Sequence, residues 1–330
     1  LIRAGQDPRE KKIEIEPSDD DFRQVAEDWF DGRSHVWKNE KHRQDVRRSL
    51  EVDIYPHLGS KEIDQIQPTE VLSCVKVLEN RGLSETTYRA LERISSIFRY
   101  GIATGRCTSN PARDLKPALK AKKVQHHAAL DEKEIGEFLR KVETYHIDFE
   151  RGDRLTGLAV KLIHLTALRS GELRKATWSE IDFEEKVWRV PGGRMKNGLD
   201  HIVPLSRQAI KVLKEIEGLT GKGKNLFPGR NNPAGFISEN TLNKCIRILG
   251  YRGRHTAHGA RAVFSTICND SGKWNRDAVE RQLAHVQGNK IRSAYNRAEY
   301  IGERKKLLQW YADRLDHLRE PKVIPLRRSA

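Results

Sequence analysis

The apolar and polar positions divide the chain into short amphipathic helices, then a small cluster of strands, then a second run of helices. Phe22, Val25, Ala26, Trp29 and Phe30 share one helical face, and Asp19 to Asp21 supply acidic charge at its N-terminus. A second helix is predicted from about Asn39 to Ile54, with Val46, Leu50 and Ile54 inward and Lys41, Arg43, Arg47 and Arg48 on the other side. Pro56 and Gly59 are expected to stop it. Pro68 opens a third helix (Val71, Leu72, Val75, Leu78) that ends near Gly82. Ser84 is expected to cap a fourth, carrying Tyr88, Leu91, Ser95, Phe98 and Ile102, with Gly105 after it. These four make a compact helical bundle over residues 18–110.

Residues 111–127 hold two prolines and several basic side chains with no sustained apolar stripe, so they read as a basic linker. Beyond it, Leu155, Leu158, Leu162 and Leu165 mark a buried helix ending at Ala167. VWRV, RMKNGLD and HIVPLS then read as three short strands, with Asn197-Gly198 as a hairpin turn between the second and third. Helices resume at about Ser206 and from Ser238 to Leu249, after a Gly/Pro/Asn-rich loop at 228–235. The predicted class is mainly α with a small antiparallel β-sheet. Residues 1–17 read as a charged linker, 128–318 as the second domain, and 319–330 as a basic tail.

Charge changes this picture. The 330 residues carry a formal net charge of +15, which points to a polyanionic partner, most simply nucleic acid. Residues 1–127 hold 23 Lys/Arg against 21 Asp/Glu, whereas residues 128–330 hold 38 against 25, so the excess lies in the second domain. Cys74, Cys107, Cys245 and Cys268 lack C-x-x-C spacing and read as reduced structural thiols. No apolar run is long enough to span a membrane.

The candidate chemistry lies in this basic half. Alone, each residue has an ordinary structural reading. Arg169 could be a surface ion pair, and Lys196 a solubility residue at a hairpin tip. His258 and Arg261 could form a polar rim above Ala260, Phe264 and Ile267. His285 could complement a helix dipole, and Tyr295 could be a half-exposed aromatic. Together they form a set for metal-free phosphoryl transfer. Two arginines and imidazoles can hold a phosphodiester, a tyrosine can attack it once a cationic pocket favours its ionisation, and a lysine can protonate the leaving oxygen. No cofactor or metal is called for. Lys41, Arg43, Arg47, Arg89, Arg93, Lys120, Lys122 and Lys123 are candidates for DNA backbone contacts.

TALRSGELR, RMKNGLDHIVPLS, HTAHGAR, ERQLAHVQ and IRSAYNRAEYIGERKKLLQWYADRLD together resemble the tyrosine recombinases of the phage-integrase family, in particular prophage integrases of genomic islands. The resemblance runs from about residue 18 to 318. It implies an N-terminal core-type DNA-binding domain and a catalytic integrase domain. Residues 1–17 would then be the remnant of an arm-binding domain. By position, Arg169 would be the first phosphate-binding arginine, supported by Glu172, and Lys196 the general acid. His258 and Arg261 would be the H-x-x-R pair, His285 the second histidine, and Tyr295 the nucleophile. Ala260 stands where a larger apolar residue is common. The activity implied is integration or excision of a mobile element through a 3′-phosphotyrosyl intermediate, by a homotetramer on double-stranded attachment-site DNA. The setting implied is the bacterial cytoplasm, at the nucleoid. A type IB topoisomerase and a decayed integrase acting as a repressor are the rival classes. The attachment site, and any need for a host DNA-bending protein or an excisionase, are not written in the sequence. The segment after Tyr300 is an amphipathic helix that must dock on its own protomer or on a neighbour.

Overall fold

The computed structural model describes residues 20–37, 40–121, 128–150, 152–195, 198–285 and 299–320. The fold divides at residues 125/126 into two compact units, each with its own apolar core.

The first unit is helical. Helix α1 (Phe22–Ser34) is capped by the Asp21 side chain, which accepts from the Gln24 amide, and it buries the five apolar residues its periodicity marks. Helix α2 (Glu40–Ser49) does not stop before Pro56. It passes into a π-helical turn at Leu50–Ile54 and then a short α3 (Tyr55–Leu58). The wide turn, with the Tyr55 amide bonded back to the Leu50 carbonyl, lets the chain stay helical where proline supplies no N–H. Helix α4 (Pro68–Asn80) begins with a Gln67–Glu70 capping box and is followed by Gly82 at φ +74°.

Helix α5 (Ser84–Ala103) starts one residue earlier than expected. Leu83 is at the cap position and Ser84 is already helical. Its inner face is Ala90, Leu91, Ile94, Ile97 and Phe98, while Ile102 is 41 % exposed, so the predicted stripe is rotated at its C-terminal end. Residues 110–121 lie against this unit and do not run free. Ala112 and Leu119 are buried in its core, Asn110 Nδ2 donates to the Ser95 carbonyl, and the Lys120 amide donates to Glu79.

The second unit is built around α7 (Arg154–Thr166), which packs on α6 (Glu132–Asp148), α9 (Arg207–Thr220) and α10 (Thr241–Ile248). A short α8 (Ser170–Arg174) follows α7. The sheet is three-stranded and antiparallel in the order β1 (Ile181–Asp182), β2 (Val187–Val190), β3 (His201–Pro204), with Val190 opposite His201. VWRV and HIVP are strands as predicted, but the described residues of RMKNGLD (194–195 and 198–200) are not a strand, and Lys196 lies, with Asn197 of the predicted turn, outside the described residues. Gly192–Arg194 form a 3-10 turn instead, and the third strand is the two-residue β1 upstream.

Helices α11 (Gly259–Asp270) and α12 (Arg276–Gln282) carry the site, and α13 (Ile301–Arg319) closes the unit. Leu307, Leu308, Tyr311, Ala312 and Leu315 of α13 are buried in the core of their own unit, so the terminal helix docks in cis. The four cysteines are free and buried, and burial pushes the Cys74 and Cys245 thiols up to about 12.

Candidate active site

Two helix ends meet at the candidate site. Helix α7 ends at Ala167 in the left-handed conformation (φ 53°), and α12 ends through Leu283 and Ala284 (φ 47°). At α12 the Ala284 amide bonds the Arg281 carbonyl and the His285 amide bonds the Glu280 carbonyl, the paired bonds of a Schellman motif. Both ends thus turn carbonyl groups, with the partial negative charge of a helix C-terminus, toward one point. Arg261 occupies it. Its Nη1 donates to the Ala167 carbonyl and its Nη2 to the Leu283 carbonyl, both at 2.6 Å.

Arg169 comes in from the other side. Its Nη2 donates to the Ala284 carbonyl (3.2 Å), while Glu172 takes both its backbone amide (2.9 Å) and its Nη1 (2.7 Å). Glu172 is only 3 % exposed and closes a capping box on α8. The acidic residue therefore fixes the arginine's plane and its turn at once. Arg194 Nη1 donates to the Glu172 carbonyl, and the same guanidinium pairs with Glu180, so the turn before residue 196 is tied to the same segment.

His285 completes the group. Its Nε2 lies 3.1 Å from Arg261 Nη2 and its Nδ1 lies 2.7 Å from Glu280 Oε2. A guanidinium only donates, so Nε2 accepts and Nδ1–H donates to the carboxylate, which assigns the tautomer. Burial, and then the charge of Arg169, push the Arg261 guanidinium down to about 10, with Glu172 and Glu280 opposing. It therefore stays cationic at neutral pH. Two guanidiniums side by side are a site that an anion stabilises.

His258 is exposed at the N-cap position of α11, one turn before Arg261. Gly259 beside it is required by space, since a Cβ there would sit 2.3 Å from the Ala128 carbonyl oxygen. Lys196 and Tyr295 lie outside the described residues, as do Lys122 and Lys123. Among the other basic candidates, Lys41 and Lys120 are exposed. Arg43 and Arg89 pair with Glu40 and Glu85 on their own helices. Arg47 pairs with Glu27 and stacks 4.1 Å over Phe30, and half-buried Arg93 donates to Ser49 Oγ, so both are engaged inside the first unit. Among the described residues no His/Cys/Asp/Glu group could hold a metal ion, and no helix is long and apolar enough to cross a membrane.

What sequence reasoning missed is the cradle: the carbonyls of Ala167, Leu283 and Ala284, the Glu280 carboxylate, and Gln282 behind them. Carbonyls carry no sequence signal, but a buried glutamine one residue before Leu283 is a polar residue on an apolar face.

A mainly helical catalytic unit with a small antiparallel sheet, and a buried arginine cradled with a second arginine and a histidine, defines the integrase-type recombinase class. Residues 22–118 match the phage integrase central domain and residues 128–300 the phage integrase family. The chain is 36 % identical to the integrase of Enterobacteria phage P4, over 96 % of this chain and 74 % of that one. It is 33 % identical to the prophage integrase IntS of Escherichia coli K12, over 96 % and 80 %. The fold is similar to a lambda integrase tetramer bound to a Holliday junction (TM-score 0.65, 17 % identity, 82 % and 79 % covered). It is also similar to the Tn1549 transposon integrase in complex with circular intermediate DNA (TM-score 0.64, 19 % identity, 83 % and 94 % covered). The chain belongs to the phage integrase family, and it is a site-specific DNA recombinase of the tyrosine type.

Proposed function

We propose that Arg169, Arg261, His258 and His285 hold the scissile phosphate of an attachment site while Tyr295 attacks it. The products of that step are a 3′-phosphotyrosyl bond and a free 5′ hydroxyl, with Lys196 protonating the leaving 5′ oxygen. Attack by the 5′ hydroxyl of a partner strand reverses it, so the number of phosphodiester bonds is conserved and no nucleotide is consumed. Charge on the non-bridging oxygens is met by guanidiniums already fixed by protein acceptors, which lowers the barrier without reorganisation. Glu172 holds Arg169 in place. The observation that carries this reading is Arg261, 5 % exposed, joined to two helix-end carbonyls and to His285.

The working assembly is a tetramer holding two duplexes through a Holliday junction, a reading supported by the lambda integrase likeness. The helical domain (18–110) and the catalytic domain (128–318) would grip the core site, with Lys41, Arg43, Arg89 and the 111–127 segment on the DNA backbone. The enzyme would act at the bacterial nucleoid, integrating or excising its element, with a host DNA-bending protein or an excisionase as accessory factors.

The test is covalent trapping on nicked duplexes carrying the junction that flanks the encoding element. Tyr295→Phe is expected to bind that DNA and form no detergent-resistant adduct. An adduct with this variant would remove Tyr295 from the role.

A further inference from the structure

The second unit buries another cation behind the cradle. Arg304, in the first turn of α13, has no exposed surface. Its Nε and Nη2 both donate to Gln282 Oε1 (3.1 and 2.8 Å), Nη2 also to the Ile202 carbonyl of β3, and Nη1 to the Glu299 carbonyl (3.1 Å). The Glu299 carboxylate lies 3.7 Å from Nη1 and also pairs with Arg281 of α12. Burying a charge is unfavourable until its partners offset it, and an apolar side chain would fill the space with no such penalty.

Its hydrogen bonds converge on Gln282, which is 1 % exposed. The Gln282 side chain, held by Arg304 at its oxygen, donates from Nε2 to the Thr166 carbonyl (2.8 Å), and its own backbone carbonyl accepts from His201 Nε2 (3.1 Å). Thr166 directly precedes Ala167, and Gln282 directly precedes Leu283. Those are the two residues whose carbonyls hold Arg261. The two helix ends leave the helical path through left-handed alanines, a conformation unfavourable for a non-glycine residue that persists only where surroundings enforce it. Gln282 is a direct side-chain tie between them.

We infer that Gln282 and Arg304 are positioning residues for Arg261. They fix the Thr166–Ala167 and Gln282–Leu283 peptide units, each directly before the Ala167 or Leu283 carbonyl that sets the plane of its guanidinium, and they build the terminal helix into the active site. The inference rests on the reading of Arg261 as a phosphate-binding residue. Neither residue touches the phosphate, so each acts only through the arginine.

The experiment compares single-turnover cleavage of two nicked duplexes with the same junction sequence. One carries the ordinary phosphate and the other a methylphosphonate at the scissile position. The methylphosphonate lacks the non-bridging charge that an arginine meets, so defects that act through Arg261 shrink on it. Gln282→Leu and Arg304→Lys are expected to slow cleavage of the phosphate by up to about 100-fold, the cost of misplacing a reacting group by about 1 Å. The lysine keeps the charge and loses the fork. On the methylphosphonate both variants are expected to fall within a few-fold of the parent chain. In an Arg261→Lys background, Gln282→Leu is expected to add no further loss. Equal slowing on both substrates, or full additivity with Arg261→Lys, would mean the two residues only support the fold and would overturn the inference. Full cleavage by Arg261→Ala would refute instead the reading beneath it.

Discussion

Glu172 shows how a single side chain can serve both the fold and the chemistry. It is buried, and its two oxygens accept separately from the Arg169 amide and guanidinium. A glutamine of the same shape keeps one acceptor and turns an NH2 toward a donor. Glu172→Gln is therefore expected to lower stability by about 2 kcal/mol, between the cost of an unsatisfied buried group and that of a broken buried pair. Arg169 is partly exposed, which keeps the figure at the lower end. Urea unfolding would measure it, and an unchanged midpoint would mean the pair contributes nothing. At this scale the sequence was informative about charge: arginine, histidine and glutamate side chains are few in type and specific in chemistry. It was silent about the carbonyls of Ala167 and Leu283, because every residue has one and only the helix ends decide where they point.

At the scale of elements, legibility followed periodicity. Helices α1 and α4 bury the faces their spacing marks because each has one apolar stripe and a cap or proline at its start, whereas α7 is capped by Asp153 and buried on nearly all sides. The π turn before Pro56 was not legible, since a proline reads as a stop unless a wider turn absorbs its missing N–H. The middle strand was misplaced for a related reason: RMKNGLD has strand-like flanks, but the two glycines directly before it, at 192 and 193, favour a tight turn that takes in Arg194, and β1 is too short to show a pattern. The cis docking of α13 could not be read either, because an apolar stripe does not say which chain covers it. Its anchor contains a test. Tyr311 is fully buried edge-on to Phe264, with ring centroids 4.9 Å apart, and its hydroxyl has no hydrogen-bond partner among the described residues. Burial pushes that hydroxyl far above its ordinary titration range. Tyr311→Phe keeps the ring and removes the unsatisfied group, so it is expected to stabilise the protein by about 1 kcal/mol. A lower unfolding midpoint for this variant would show that the hydroxyl has a partner.

For the molecule as a whole, the second unit combines most of the positive charge with three buried neutral imidazoles. His164 and His255 face each other through their Nε2 atoms at 2.9 Å. His255 Nδ1 accepts from the Leu130 amide, so its Nε2–H donates to His164, whose Nδ1–H donates to the Val160 carbonyl. Burial holds His164 down to about 4 and His255 to about 3. Burial, followed by the charges of Arg304 and Arg281, holds His201 to about 3. Each therefore titrates below the ordinary value of 6.5. As pH falls below 6.5 the unfolded chain takes up these protons and the folded chain does not, so stability is complete above about 6.5 and drains away toward pH 3–4. Each such group adds up to about 1.4 kcal/mol per pH unit to the slope. Between pH 6.5 and 5 ordinary carboxylates have barely begun to protonate, so the imidazoles account for most of the loss in that window. His201→Gln can still donate to the Gln282 carbonyl yet has nothing to protonate. The urea midpoint of this variant is expected to fall less steeply with acid than that of the parent chain, by about one proton's slope. Parallel profiles would mean that His201 already takes up its proton in the folded state, and that its neutrality does not hold β3 against α12.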